Sequence, residues 1–348
     1  MSKSIAHVKA HCLQLLFACL SSSLRLHQYV QKWQLPHSRK KIDVSRLFAE
    51  KAYKANVQAE TFKCDASQGL SLLPILMHFV HKVLLPSNRC NAACLAFLAF
   101  GDVVDLVLGT QVGTTTATAL ENAIVKFFDC CKNADWERQL HAKFHWILHF
   151  PQHLRKWGFL PSCFVLERKH RMVKRYAQDI RNTGKRSGYE LSVLTEVVCH
   201  TLAVLPTTNA FNRSAHLEKR CAMPKMLIQV ISEALGPLPL DNCFSCSSAK
   251  LSPAGSCSKN NIVMLKSSTE PPEVCAVIAH IEVHGVCFTL ANQLELLSFS
   301  AATWSAKFCV IHKIILVPTE EISQPLTCRW ESMSEITVLF PCWIIRSL

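Results

Sequence analysis

Apolar residues recur with the helical period through roughly the first two thirds of the chain. Leu120, Ile124, Phe127, Phe128 and Cys131 lie three or four residues apart, and Leu191, Leu194, Val197, Val198, Thr201 and Leu205 repeat the pattern. Breaks at Pro36, Pro86, Gly109 to Gly113, Pro151, Gly158, Gly184 and Pro206 divide this part into helices of ordinary length. The pattern predicts an all-α domain over residues 1–235. Residues 236–272 change character: Gly236, Pro237, Pro239, Pro253, Pro271 and Pro272 surround a serine-rich run, which is the composition of a flexible linker. From residue 273 the period becomes that of strands. The runs Val274 to His284, Val286 to Leu290, Phe308 to Val317 and Ile336 to Ile345 are rich in β-branched and aromatic residues, with turn residues between them. Four or five short strands predict a small antiparallel or barrel-like β-module over 273–348, and the fold class is therefore α+β.

The two longest apolar stretches test for a membrane span. Leu70 to Pro86 is interrupted by His78, His81 and Lys82, and Ala92 to Leu108 by Asp102 and Asp105. Neither offers about 20 uninterrupted apolar residues, so both read as buried helices and no membrane span is expected. Near the N-terminus, Lys3 and Lys9 precede an apolar patch, Cys12 to Leu20, but His7, His11 and the shortness of the patch make a poor secretory signal. Asp102 and Asp105, spaced i and i+3, read as the polar edge of their helix. No internal repeat or heptad array is present.

Composition adds two constraints. With 49% hydrophobic residues in 348, the chain can bury substantial cores. Its 18 cysteines are scattered through apolar runs, for example Cys19, Cys94, Cys131, Cys199, Cys287 and Cys309. There a free thiol behaves as a small hydrophobe, which points to a reducing, intracellular setting, and a nuclear one if the partner is DNA. The sequon at Asn212 is of a frequency expected by chance. A formal net charge of +13 is concentrated in Arg25 to Lys54 and in Arg168 to Arg186, the latter with eight Lys or Arg against one Asp. Clustered cations are the electrostatic footprint of a DNA or RNA partner; a solvated helix face is the alternative.

The chemistry-bearing residues concentrate in one stretch, His141 to Tyr176, reading HAKFHWILHFPQHLRKWGFLPSCFVLERKHRMVKRY. His141, His145 and His149 are spaced i+4, which on a helix brings neighbouring imidazoles within reach of one metal ion, and His145 and His149 are the candidate ligands. No glutamate lies between them in the HExxH sense. Further on, a helix would place Met172, Val173, Tyr176, Ala177 and Ile180 on one face, with Glu167, His170, Arg171, Lys174 and Arg181 opposite. Arg168, Lys169, Arg171, Lys174, Arg175, Arg181, Lys185 and Arg186 are the candidate phosphate contacts. A third constellation, Cys243-x-x-Cys246 with Cys257, has knuckle spacing but no evident fourth ligand. GTQVG at Gly109 lacks the Lys-Ser of a phosphate loop.

The run KFHWILHFPQHL, followed by ERKH and VKRY, resembles a segment near the C-terminal end of transposon-derived proteins related to the CACTA and Kyakuja-Dileera-Zisupton groups of DDE transposases. The resemblance extends over about residues 24–205. It implies that Glu167 corresponds to the third carboxylate of a two-metal site, and that the two aspartates of that site belong to a first half this chain does not carry. Glu167 has a plainer reading as the i, i+4 ion-pair partner of Arg171 at the start of a helix. One carboxylate cannot hold two metal ions, so catalysis is expected to be incomplete and no cofactor required. Mg2+ or Mn2+ enters only if another chain supplies the missing carboxylates to a nuclease or transposase. The leading expectation is nonspecific nucleic-acid binding, with a protein-interaction role for the β-module as a third class; oligomeric state is left open.

Overall fold

Fourteen of the nineteen positions on one long helix are buried, and the helical half is organised around it. The structure is a computed structural model and describes residues 23–36, 47–49, 51–52, 54–55, 64, 66–88, 90–110, 113–137, 140, 142–160, 173, 189–204, 215–217, 219–235, 243–251, 255–266 and 272–340. The central helix, α3 (Asn91–Gly109), follows α1 (Ser23–Gln31) and α2 (Ala66–Phe79), the last continuing through a π turn, Val80–Leu84. Pro74 lies inside α2, where it removes one backbone hydrogen bond. After α3 comes α4 (Ala117–Asn133), whose first turn is capped by Thr116, its hydroxyl accepting from the Ala119 N–H at 3.2 Å. A short helix, Ala142–His145, then runs through a 3₁₀ turn, Trp146–His149, into α5 (Phe150–Trp157), which ends at Gly158 with φ +70°. Two further helices are α6 (Tyr189–Val204) and α7 (Lys225–Leu235).

Aromatic packing joins these helices. Phe79, Phe97, Phe100 and Phe127 are fully buried, with Phe127 5.6 Å from Phe100 and stacked at 6.2 Å on Phe144. Gln68–Ser87 and Asn91–Gly109 have the length and mean hydropathy, 1.4 and 2.0, of membrane-crossing helices, but 61% and 78% of those windows are buried inside the protein. A helix apolar nearly all round needs cover on most sides, and here neighbouring helices provide it, leaving Leu95 and Leu108 exposed. Asp105 is buried rather than placed on a polar edge, whereas Asp102 meets Lys126 at 3.6 Å.

The β half is a closed barrel. Its strands are β6 (Ile262–Leu265), β7 (Val274–Val283), β8 (Val286–Ser300), β9 (Ser305–Pro318), β10 (Ile322–Trp330) and β11 (Glu335–Leu339). They form a ring in the order β7-β6-β10-β11-β9-β8, closed by β8 on β7, with every neighbouring pair antiparallel. Closure removes the exposed edges of an open sheet. Ile262, Met264, Val274, Leu294, Ala306, Phe308, Leu326, Cys328, Ile336 and Val338, drawn from all six strands, form the interior cluster. Past the end of β6, β7 takes a second partner, β3 (Cys243–Cys246), which in turn pairs with β2 (Cys221–Ala222). A small sheet of β1 (His216–Leu217), β4 (Ser248–Leu251) and β5 (Gly255–Ser258) contributes Leu251 and Cys257 to a cluster with Val263, Cys275, Val277 and Ala291 on the barrel strands.

The mixed α+β class is as expected, with two differences in arrangement. Residues 236–272, expected as a flexible linker, contribute four strands, β3 to β6, to the two sheets. Small residues such as Ser, Cys and Ala have little strand preference of their own and acquire burial from the strands beside them. Strands also begin at His216, before α7, so helix and strand interleave at the expected 235 boundary. Residues 341–348, including the end of the run from Ile336 to Ile345, lie outside the described residues.

A tight helix contact generates a test of the helical core. A Cβ added at Gly101 would meet the Met77 Sδ at 2.2 Å, with both residues buried. Gly101→Leu should therefore destabilise by about 1–3 kcal/mol through overpacking. Urea unfolding checks this, and combining it with Met77→Ala should recover part of that stability.

Candidate functional site

Helix residues 142–157 present two unlike faces. Phe144, Ile147, Phe150, Pro151 and Leu154 are buried, while His145, Trp146, Gln152, Arg155, Lys156 and Trp157 are exposed. The exposed aromatics are large: Trp146 is 58% exposed, Trp157 44% and Phe159, just beyond the helix, 57%. His145 and His149 lie edge to face with ring centroids 4.9 Å apart, and their Nε2 atoms approach to 3.2 Å. Continuing along the helix, the His153 ring lies 4.6 Å from Trp157, and the Lys156 ammonium sits 5.6 Å from the Trp157 centroid. No Asp or Glu occurs between residues 142 and 160. Arg155 pairs with Glu121 of α4. The face therefore alternates imidazole, indole and cation, a composition that can stack on planar groups and attract anions.

The expected i, i+4 imidazole pair is thus assembled. His153 turns to Trp157, and among the described residues no group of three His, Cys, Asp or Glu converges. His141 is not described, and Glu167, Arg168, Lys169, Arg171, Lys174, Arg175, Arg181, Lys185 and Arg186 all lie outside the described residues. The cysteine knuckle does not form. Cys243 and Cys246 belong to different apolar clusters, because residues three apart on a strand face opposite ways. Cys246 Sγ accepts the N–H of Lys219 and of Ser248, each at 3.4 Å, and burial pushes the Cys257 thiol up to about 12, as it does Cys275 and Cys328. Those three thiols stay protonated and pack as hydrophobes.

Two polar clusters, one half-buried and one fully buried, had no signature in the sequence. The first joins the helices to the barrel. Gln34 and Cys328 exchange backbone hydrogen bonds, with N–H to O distances of 2.8 and 3.1 Å. The adjacent Arg329 guanidinium lies 5.0 Å from the Trp33 ring centroid and 5.7 Å from that of Tyr29. Its Nε donates to Glu331 at 2.9 Å, and the Thr337 hydroxyl donates to the same carboxylate oxygen at 2.7 Å. Burial opposes ionisation of Glu331, but these hydrogen bonds and the guanidinium charge outweigh it and hold the carboxyl below its usual range. Tyr29 also hydrogen-bonds His78, whose pKa is lowered to about 4 by burial and then by the charges of Arg329 and Lys82. The cluster orders the join between the two halves and offers no reactive group: its imidazole is neutral and its cation is paired.

The second cluster is a buried chain from His280 to Thr289 to Thr319, both links 2.9 Å. Burial lowers the His280 pKa to about 4, the Cys257 backbone opposing the shift, although Nε2 makes no hydrogen bond. Compared with protein-family models, curated proteins and solved structures, the chain matches none.

The two buried histidines give the protein an acid limit. Each has a folded pKa of about 4 against an ordinary 6.5, so below pH 6.5 the unfolded chain binds protons the folded chain refuses. The resulting stability is complete above pH 6.5 and falls as the pH drops to 4, by up to roughly 3 kcal/mol for each histidine. Urea unfolding at pH 7.5 and 4.5 measures it, and replacing both His78 and His280 with Gln should flatten the slope across that window.

Proposed function

We propose that this chain binds single-stranded nucleic acid without sequence specificity. The observation that carries the proposal is the 142–160 surface, where Trp146, Trp157 and Phe159 stand exposed among His145, His149, His153, Arg155 and Lys156 with no acidic residue in the segment. Exposed indoles cost hydration free energy unless a partner covers them. Bases are flat enough to stack on them, and phosphates complement the cations. In sequence the segment is followed by the eight cations between Arg168 and Arg186, residue types that bind phosphates without reading sequence. The resemblance of residues 141–176 to DDE transposases suits a descent from a DNA-handling protein. On that reading the chain is a transposon-derived protein in which Glu167 is a remnant carboxylate, acting inside the cell.

Fluorescence anisotropy of a labelled oligonucleotide tests this across a salt series. Trp146→Ala and Trp157→Ala should each weaken single-strand binding by about 1–3 kcal/mol for the base that no longer stacks. Their effect on duplex DNA should be smaller. Replacing Lys169, Arg171, Lys174 and Arg175 with Ala should lower affinity for all sequences alike and reduce the log-log salt slope by about one for each phosphate left unpaired. Unchanged affinity in the tryptophan variants, with helix content retained by circular dichroism, would overturn the assignment of this surface.

A further inference from the structure

The approach of two imidazole nitrogens on the exposed helix face has a meaning separate from nucleic-acid binding. We propose that His145 and His149 form a two-nitrogen chelate for a borderline transition dication of the Zn2+, Ni2+ or Cu2+ class. Their Nε2 atoms are 3.2 Å apart. With metal–nitrogen bonds of about 2.0–2.1 Å, that separation subtends roughly 100° at a shared ion, between the square-planar and tetrahedral angles. The rings meet edge to face at 82°, with the two Nε2 atoms in direct contact.

The surroundings supply the remaining requirements. His149 Nδ1 lies 3.5 Å from Gln152 Oε1, so the Gln152 carbonyl can accept an Nδ1–H and leave Nε2 unprotonated as the ligand atom. The tautomer that carries its proton on Nδ1 leaves the Nε2 lone pair of each imidazole for the ion. His145 is exposed and His149 half-exposed, leaving the other coordination positions to water or an incoming ligand. Lys156 and Arg155 lie further along the same helix and oppose a dication, but Arg155 is compensated by Glu121, and the site is wet enough for salt to screen the rest. The i, i+4 spacing on a helix held by Phe144, Ile147 and Phe150 in the core prepays the ordering of both rings.

The test is a titration of the full reduced chain with Ni2+ by calorimetry, alongside His145→Ala and His149→Ala. Both substitutions sit on an exposed face and Ala favours helix, so the fold is preserved. Each variant should lose one equivalent of bound Ni2+, and Gln152→Ala should weaken that equivalent by roughly tenfold. Ni2+ should protect both histidines, and not His153, from acylation by diethylpyrocarbonate. The proposal fails if both variants keep every equivalent of the parent, or if all bound Ni2+ shows thiolate charge-transfer absorption, which would assign it to the cysteines. Measuring oligonucleotide affinity with and without Ni2+ is independent: loss of nucleic-acid binding with metal binding intact would sink only the earlier proposal.

Discussion

A planar guanidinium packed against two aromatic rings holds the halves of this protein together. Arg329 sits at the end of β10 with the Trp33 and Tyr29 rings near it and Glu331 accepting its Nε–H. Beside it the Gln34 to Cys328 backbone pair adds a strand-like bridge from the helical half to the barrel. Arginine suits the position because its fork hydrogen-bonds in plane while its faces stay available to rings, which an ammonium group cannot do together. Removal of the guanidinium would strip the aromatic contacts and leave the Glu331 charge without its strongest donor, so the join is cooperative. Leu339 and Trp304 from the barrel half also pack against the helical core, which makes the contact apolar around its polar centre.

The barrel itself is irregular where it is longest. The hairpin of β8 and β9 shifts register twice, between Asn292 and Leu294 and between Leu296 and Ser298, and His312 adopts φ +53° in the skipped stretch. Bulges of this kind increase local twist, which a ring of only six strands requires in order to close. Ile311 and Ile314 are carried outward there. Closure brings His280, Thr289 and Thr319 into one buried hydrogen-bonded chain although they come from three separate segments.

The exposed face of residues 142–157 owes its rigidity to the opposite side of the same helix. Phe144, Ile147, Phe150 and Leu154 enter the core against α4, so the outward residues are held at a fixed spacing by the buried ones. Indole and imidazole side chains with few rotatable bonds lose little entropy when they engage a partner. That rigidity suits both proposed roles of the segment, stacking through Trp146 and Trp157 and metal chelation through His145 and His149.

Local patterning was sufficient for the helices α3 and α4 and for the strands β7 and β9, because α3, α4 and β7 bury a face whose spacing is written in consecutive residues and β9 is rich in β-branched residues. The i, i+4 imidazoles were legible for the same reason. Three features were not. Strands β3 to β6 are built of serine, cysteine and short apolar runs, and their order comes from partners: β3 pairs with β7, β6 with β7 and β10, and β4 with β1 and β5. The opposed facing of Cys243 and Cys246 depended on their lying in a strand rather than a turn. Arg329 with Trp33 and Thr289 with Thr319 are nonlocal pairs, and no single-chain pattern marks residues that meet only after folding. The sequence by itself determined which residues must be hidden. Only the tertiary structure decided which polar groups are hidden with them, since a buried charge or imidazole is stabilised by partners that folding alone brings within reach.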